Sequence, residues 1–206
     1  MDTGDLASTL NKQTLGPLIS FLGVYCSDQI SGMKYLKKNI PSMFITNTLR
    51  TYDDSQQMGH WVVFYVGRQF ILFLDSFGLS PEFYGREFAN FSKQKTVYAL
   101  PHGLQPPDSL TCGLYAVFFV HYISHWGLSS CLRYTMKHFR PLKPRLNDKK
   151  VKRYFIGDID RENPCELWLK GAPQAMTYKE CISIKKQLAP SQTLKLMPKQ
   201  KKKKTF

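Results

Sequence analysis

Four polar residues, His60, Asp75, Gln105 and Cys112, follow one another along the chain in an order suited to thiol chemistry. Acyl transfer by a thiol needs a nucleophile, a base to take its proton, a group to orient that base, and donors for the developing oxyanion. Cys112 fits the first role because of its position. Residues 105–115 read Gln-Pro-Pro-Asp-Ser-Leu-Thr-Cys-Gly-Leu-Tyr, and no helix breaker follows Gly113 until Gly127. Two prolines and an Asp-Ser pair form turns, so the sequence predicts a loop that becomes a helix at Cys112, with Ser109 or Thr111 as its N-cap. In a first helical turn the unpaired N–H groups and the helix dipole favour an anion, which lowers a thiol pKa. Gln105, seven residues upstream, offers a side-chain amide to an oxyanion beside the Cys112 backbone N–H.

The base and its partner must come from elsewhere in the fold. Residues 60–66 read His-Trp-Val-Val-Phe-Tyr-Val and residues 69–75 read Gln-Phe-Ile-Leu-Phe-Leu-Asp, separated by Gly67 and Arg68. This pattern predicts a β-hairpin with a two-residue type II′ turn, both arms apolar on both faces as in strands inside a sheet. With Val66 opposite Gln69, His60 faces Asp75 on one side of the ladder, within reach of an imidazole–carboxylate hydrogen bond. Of the other histidines, His121 lies about 13 Å along the predicted helix from Cys112 and on its far side. His125 is farther still, His138 has no identifiable partner, and His102, near the loop, is the one rival.

The remaining elements are weaker in pattern. Residues 15–25 are apolar but broken by Gly16, Pro17 and Gly23, and read as an ordered loop on the core. Residues 41–48 and 96–100 read as short strands, 82–91 as a short helix, 112–126 as a largely buried helix, 129–139 as an amphipathic one, and 148–155 as a last helix. Trp61, Phe64 and the aromatics after Cys112 belong to the core. From residue 189 onward the composition is that of a disordered chain.

The 206 residues, 43% hydrophobic and 14% aromatic, suffice for one core-forming domain. No apolar run approaches the roughly 20 residues of a membrane span, and residues 1–13 are too polar for a signal peptide, so no membrane partner is expected. The five cysteines (Cys26, Cys112, Cys131, Cys165 and Cys181) form no Cys-x-x-Cys pair, and reduced thiols are expected, with Cys112 the only reactive one. The formal net charge is +14, of which eight lysines beyond Glu180 contribute +8, leaving +6 for residues 1–180. Such a balance fits a polyanionic partner, nucleic acid above all, with Lys199, Lys201, Lys202, Lys203 and Lys204 as candidate contacts; a targeting signal is the other use of a lysine run.

Together these residues resemble a known family. His60-Trp61, then Asp75-Ser-Phe-Gly78, then Gln105-x-Pro107-x-Ser109-x-x-Cys112-Gly-Leu114 is similar to the motif series of the adenovirus protease family, adenain. Phe21-Leu-Gly-Val-Tyr25 and Asn47-Thr48 are similar as well, and the resemblance covers residues 15–155. It implies an α+β fold, a central mixed or antiparallel sheet packed by helices with the nucleophile at a helix N-terminus. It implies a cysteine endopeptidase that matures virion precursor proteins, usually cutting beside glycine, in the host nucleus and the virion. His60, Asp75, Gln105 and Cys112 take the roles of base, orienting acid, oxyanion donor and nucleophile, and DNA is implied as an activator. No metal or other cofactor is expected for the chemistry.

The chain departs from the pattern in three ways. Asp75 stands where adenoviral members have Glu. Residues 92–104 contain no cysteine for the disulfide through which a peptide activates those enzymes. Residues 156–188 form an extension beyond the similarity, followed by the lysine-rich tail of 189–206, which leaves a related virus or a virus-like transposable element as the source. Two other readings stay open: a ubiquitin-like-protein isopeptidase of the related Ulp class, in which Asp usually precedes the cysteine and the glutamine is six residues upstream, and a catalytically inert, basic nucleic-acid-binding virion protein. Nothing demands a dimer, and a monomer is expected.

Overall fold

The computed structural model describes residues 15–33, 40–51 and 59–156, with Leu6 and Leu10. The extension and tail beyond residue 156, including Lys199 and Lys201 to Lys204, lie outside the described residues. The described chain is α+β: a five-stranded mixed sheet and three α-helices. The strands are β1 (Ser20–Tyr25), β2 (Ser42–Asn47), β3 (Trp61–Val66), β4 (Phe70–Leu74) and β5 (Thr96–Ala99), and they lie side by side in chain order. β3 runs antiparallel to both β2 and β4, while β1 and β5 run parallel to their neighbours at the two edges.

Alternation along β2 and β3 explains why these strands read as apolar throughout. Met43, Ile45, Val63 and Tyr65 point to one side, where they meet Leu72 and Leu74 of β4 and the helix α2 (Cys112–His138). Phe44, Val62, Phe64 and Val66 point to the other, against Ile71, Phe73 and helix α1 (Arg86–Ser92). On that second side Phe44 and Phe64 stack at 5.1 Å, and the edge of Phe91 meets both. A sheet covered on both faces needs this period-2 pattern with no polar face. α2 is apolar nearly all round, since residues 115–120, with Tyr122 and Ile123, are buried between the sheet and helix α3 (Pro144–Ile156). Gly127 breaks α2 with φ 78°, so the two predicted helices are two halves joined at a kink.

The hairpin forms, but its register is not the predicted one. Val66 pairs with Ile71 and Val63 with Leu74, and the Gly67 N–H donates to the Phe70 carbonyl at 2.9 Å. The turn residues are therefore Arg68 and Gln69, and Gly67 does not adopt the positive φ of a type II′ turn. A slip of two residues leaves every side chain on its expected face. The ladder ends at Val63 and Leu74, so His60 and Asp75 lie just beyond it, where the chain after β4 turns at residues 75–78, and they meet through their side chains. Residues 20–25 form the edge strand β1 where a loop was expected, with the irregularity between Phe21 and Val24 falling at Gly23 (φ 126°). The predicted helix of 82–91 is split by Gly85 into a 3₁₀ turn (Pro81–Tyr84) and α1, and the last helix begins at Pro144, four residues before the expected start. Pro at the first helical position accounts for that earlier start, because its missing N–H has no helical partner to lose.

One glycine of the 75–78 turn is fixed by packing. Gly78 has φ 71°, and a Cβ there would stand 2.4 Å from the Gly103 backbone nitrogen. Gly78→Ala is expected to destabilise the fold by more than about 2 kcal/mol, from the left-handed backbone and the clash together. The denaturant midpoint measures it; an unchanged midpoint would mean that the 75–79 and 102–103 segments do not pack this closely.

Candidate active site

The site forms where the N-terminal end of β3, the C-terminal end of β4 and the first turn of α2 converge. Asp75 follows β4 and is wholly buried. Its carboxylate takes four donors: Oδ1 accepts from the His60 Nε2–H at 2.6 Å and the Phe77 N–H at 2.9 Å, and Oδ2 from the Leu79 N–H at 2.7 Å and the Tyr84 hydroxyl at 2.9 Å. With its lone pairs filled in this way the carboxylate is held in one orientation. Tyr84 remains a donor, since burial and the neighbouring Asp75 push its own ionisation far up.

His60 is 9% exposed. Its N–H donates to the Thr48 hydroxyl at 2.9 Å, its carbonyl accepts from the Thr48 N–H, and its ring lies nearly parallel to Phe77 at 4.3 Å and to Tyr84 at 5.6 Å. With Nε2 given to Asp75, Nδ1 is the ring nitrogen that serves the Cys112 sulfur, with which His60 shares a hydrogen bond. Burial works against the imidazolium, but the hydrogen bonds to Asp75 and Cys112 outweigh it and lift His60 to about 9. Burial likewise raises the Cys112 thiol, while the His60 hydrogen bond and the N–H groups of Trp61 and Gly113 more than offset it, so the thiol ends below its ordinary value. The two shifts describe one coupled thiolate–imidazolium pair. Cys112 is half-buried and is the first residue of α2.

The direction of these shifts fixes a pH profile. Hydrolysis that needs a thiolate and a protonated imidazole rises as Cys112 deprotonates below its usual range and falls as His60 deprotonates near pH 9. Asp75→Ala removes the leading interaction that raises His60 and leaves burial, which lowers it. The falling limb is then expected to move to lower pH, and a limb that stays put would remove Asp75 from the role of orienting acid.

Gln105, 4% exposed, is held at both ends of its amide. Oε1 accepts from the Ser76 hydroxyl at 2.7 Å, and Nε2 donates to the Ser109 carbonyl at 2.6 Å, which fixes the amide orientation and leaves one N–H uncommitted by these bonds. The Ser76 carbonyl accepts from the Leu104 and Gln105 backbone N–H groups, tying the loop to the residue beside Asp75. Thr111 is the N-cap by position, yet its hydroxyl does not cap α2. It donates to Asp148 Oδ1 at 2.8 Å, joined by the Tyr115 hydroxyl at 3.1 Å, while the Ser109 hydroxyl donates to Oδ2. Asp148, on α3, thus holds the loop from both Ser109 and Thr111. The neighbouring Asn147 adds a third tie through its amide, which donates to the Leu104 carbonyl at 2.9 Å.

His60, Asp75 and Cys112 form one hydrogen-bonded series, and Gln105 is pinned between the Asp75 turn and the loop that leads to Cys112. The rival histidines go elsewhere. His102 is exposed, His121 meets the Tyr154 hydroxyl at 2.6 Å, His125 packs on His121 and Trp126, and His138 stacks on Tyr134 at 4.4 Å. Cys131 is fully buried with its thiol pushed far up, whereas Cys165 and Cys181 lie outside the described residues.

Sequence reasoning missed Tyr84, Ser76 and Asp148. Asp148 carried a signal, because it is the only acid in residues 109–157, amid nine Lys and Arg. Tyr84 and Ser76 carried none. Among the described residues no group of three or more His, Cys, Asp or Glu could hold a metal ion, and no helix is long and apolar enough to cross a membrane. Neither protein-family models nor curated proteins gave a match to this chain.

Proposed function

We propose that the chain is a cysteine endopeptidase. The observation that carries this reading is the buried series Asp75–His60–Cys112, in which a carboxylate wholly buried and filled by four donors of the protein adds little to packing but is suited to hold one imidazole in one tautomer. His60 takes the Cys112 proton, the thiolate attacks a peptide carbonyl, and the uncommitted Gln105 N–H together with the Cys112 backbone N–H receives the oxyanion. The imidazolium then protonates the leaving amine, and water hydrolyses the thioester.

The α+β architecture, the helix-borne cysteine and the motif order support an adenain-like enzyme that processes virion precursor proteins in the nucleus and particle. The net charge of +14 supports stimulation by DNA. The test is cleavage of a precursor-like substrate by wild type and Gln105→Ala, with and without duplex DNA. Wild-type cleavage, lowered roughly 10²- to 10³-fold in the variant and raised by DNA, is expected. Cleavage of ubiquitin-like conjugates alone would favour the Ulp-class reading, and DNA binding with no cleavage and no thiol reactivity would leave a nucleic-acid-binding protein.

A further inference from the structure

Beside the candidate site a groove of about 800 Å³ opens between the loop of residues 106–111, the first turn of α2 and one face of α3. Its floor is apolar: Leu110 is 69% exposed, Leu146 44% exposed, and Leu114 half-buried. Its rim is cationic. Arg145, Lys149 and Lys152 follow one another at helical spacing, so their charges stand on one face and repeat about every 4.5 to 6 Å along α3. The groove has two acids, and both are committed. Asp108 pairs with Arg145 at 2.7 Å, and Asp148 is filled by Ser109, Thr111 and Tyr115. Among the described residues neither Lys149 nor Lys152 forms an ion pair with a carboxylate.

A row of cations over exposed leucines suits a polypeptide that carries carboxylates and an apolar side chain. A nucleic-acid backbone would use the cations and leave the leucines wet. The chain itself contains such a stretch immediately after α3: Gly157, then Asp158-Ile159-Asp160-Arg161-Glu162. In extended form its three acids would fall on one side, about 7 Å apart, with Ile159 and Arg161 on the other. Lysine and arginine side chains are long enough to absorb the difference between that spacing and the helix repeat.

We propose that this groove is the seat of residues 158–162 of the same chain, running back along α3 so that Asp158, Asp160 and Glu162 meet Lys152, Lys149 and Arg145. With only Gly157 between the end of α3 and Asp158, the short tether gives such a segment an effective concentration on the order of millimolar, so it outcompetes free acidic peptides at micromolar concentration. Because Leu110 and Thr111 directly precede Cys112, the occupied groove abuts the loop that bears the candidate nucleophile. The inference concerns binding alone and stands or falls independently of peptidase activity.

The test uses the full chain and a fluorescent peptide of residues 157–169, with binding followed by anisotropy. The peptide is expected to bind the Asp158→Asn/Asp160→Asn/Glu162→Gln chain at least about tenfold more tightly than wild type. Adding Lys149→Glu and Lys152→Glu to that chain should abolish binding, and adding Leu110→Ser should weaken it several-fold. Equal binding to wild type and the neutralised chain would mean that the groove is open to a partner in trans and overturn the proposal. So would binding to neither, or binding that a single-stranded oligonucleotide displaces and Leu110→Ser leaves unchanged.

Discussion

His60→Ala is expected to lower peptide hydrolysis by roughly 10²- to 10⁴-fold, the usual contribution of a positioned base. Alkylation of Cys112 should change with it. In the wild type the His60 hydrogen bond is the leading interaction that lowers the thiol against burial. Without it burial dominates, so the inflection in alkylation rate moves to higher pH. The fold should survive, because Asp75 keeps three of its four donors, Phe77, Leu79 and Tyr84, and the ring that is lost packs at the end of the sheet and not at its centre. Measurement of kcat/KM and of the alkylation profile on the same preparation decides the matter. An unshifted inflection would sever His60 from Cys112 and with it the proposed mechanism.

Asp148→Ala should cost nearly as much activity through a different step. This carboxylate touches no reacting atom; it positions the loop by accepting from Ser109, Thr111 and Tyr115. Ser109 in turn supplies the carbonyl that anchors the Gln105 amide. Release of that anchor is expected to cost up to the worth of one oxyanion donor, roughly 10²- to 10³-fold in kcat. The alkylation profile should stay as in wild type, because the Cys112–His60 pair does not include Asp148. Asp148→Asn keeps one acceptor oxygen and should recover part of the loss. Stability is expected to fall by about 1 to 3 kcal/mol in the alanine variant, from hydroxyls left without their acceptor. If kcat fell no further than stability explains, or if the alkylation inflection moved as in His60→Ala, Asp148 would be a structural residue only.

The two variants also separate what could be read from the chain. The hairpin register lies two residues from the expected one, yet His60 and Asp75 still meet at 2.6 Å. Face parity survives an even slip, and parity, written in the alternation of residues 60–66 and 70–74, decides which side chains share a surface. Cys112 at the start of α2 followed just as directly from the breakers before it and their absence after it. The edge strand β1 was not visible, because its pairing with β2 depends on a neighbour, and Gly23 within it and Gly16-Pro17 before it argue against a strand.

By itself the sequence determined what local chemistry and short-range periodicity can specify. It marked two strands buried on both faces, a cysteine at a helix start, and a histidine and a carboxylate on one side of a hairpin. Tertiary structure alone decided what fastens these parts. Asp148 reaches Thr111 across 37 residues, Ser76 reaches Gln105 across 29, and Tyr84 closes the shell of Asp75 from a separate turn. Such contacts have no period and no turn chemistry to announce them. They exist because α3 and the 75–84 segment pack where the core puts them, and a hydrogen bond between distant residues is fixed only once that packing has brought its two ends together.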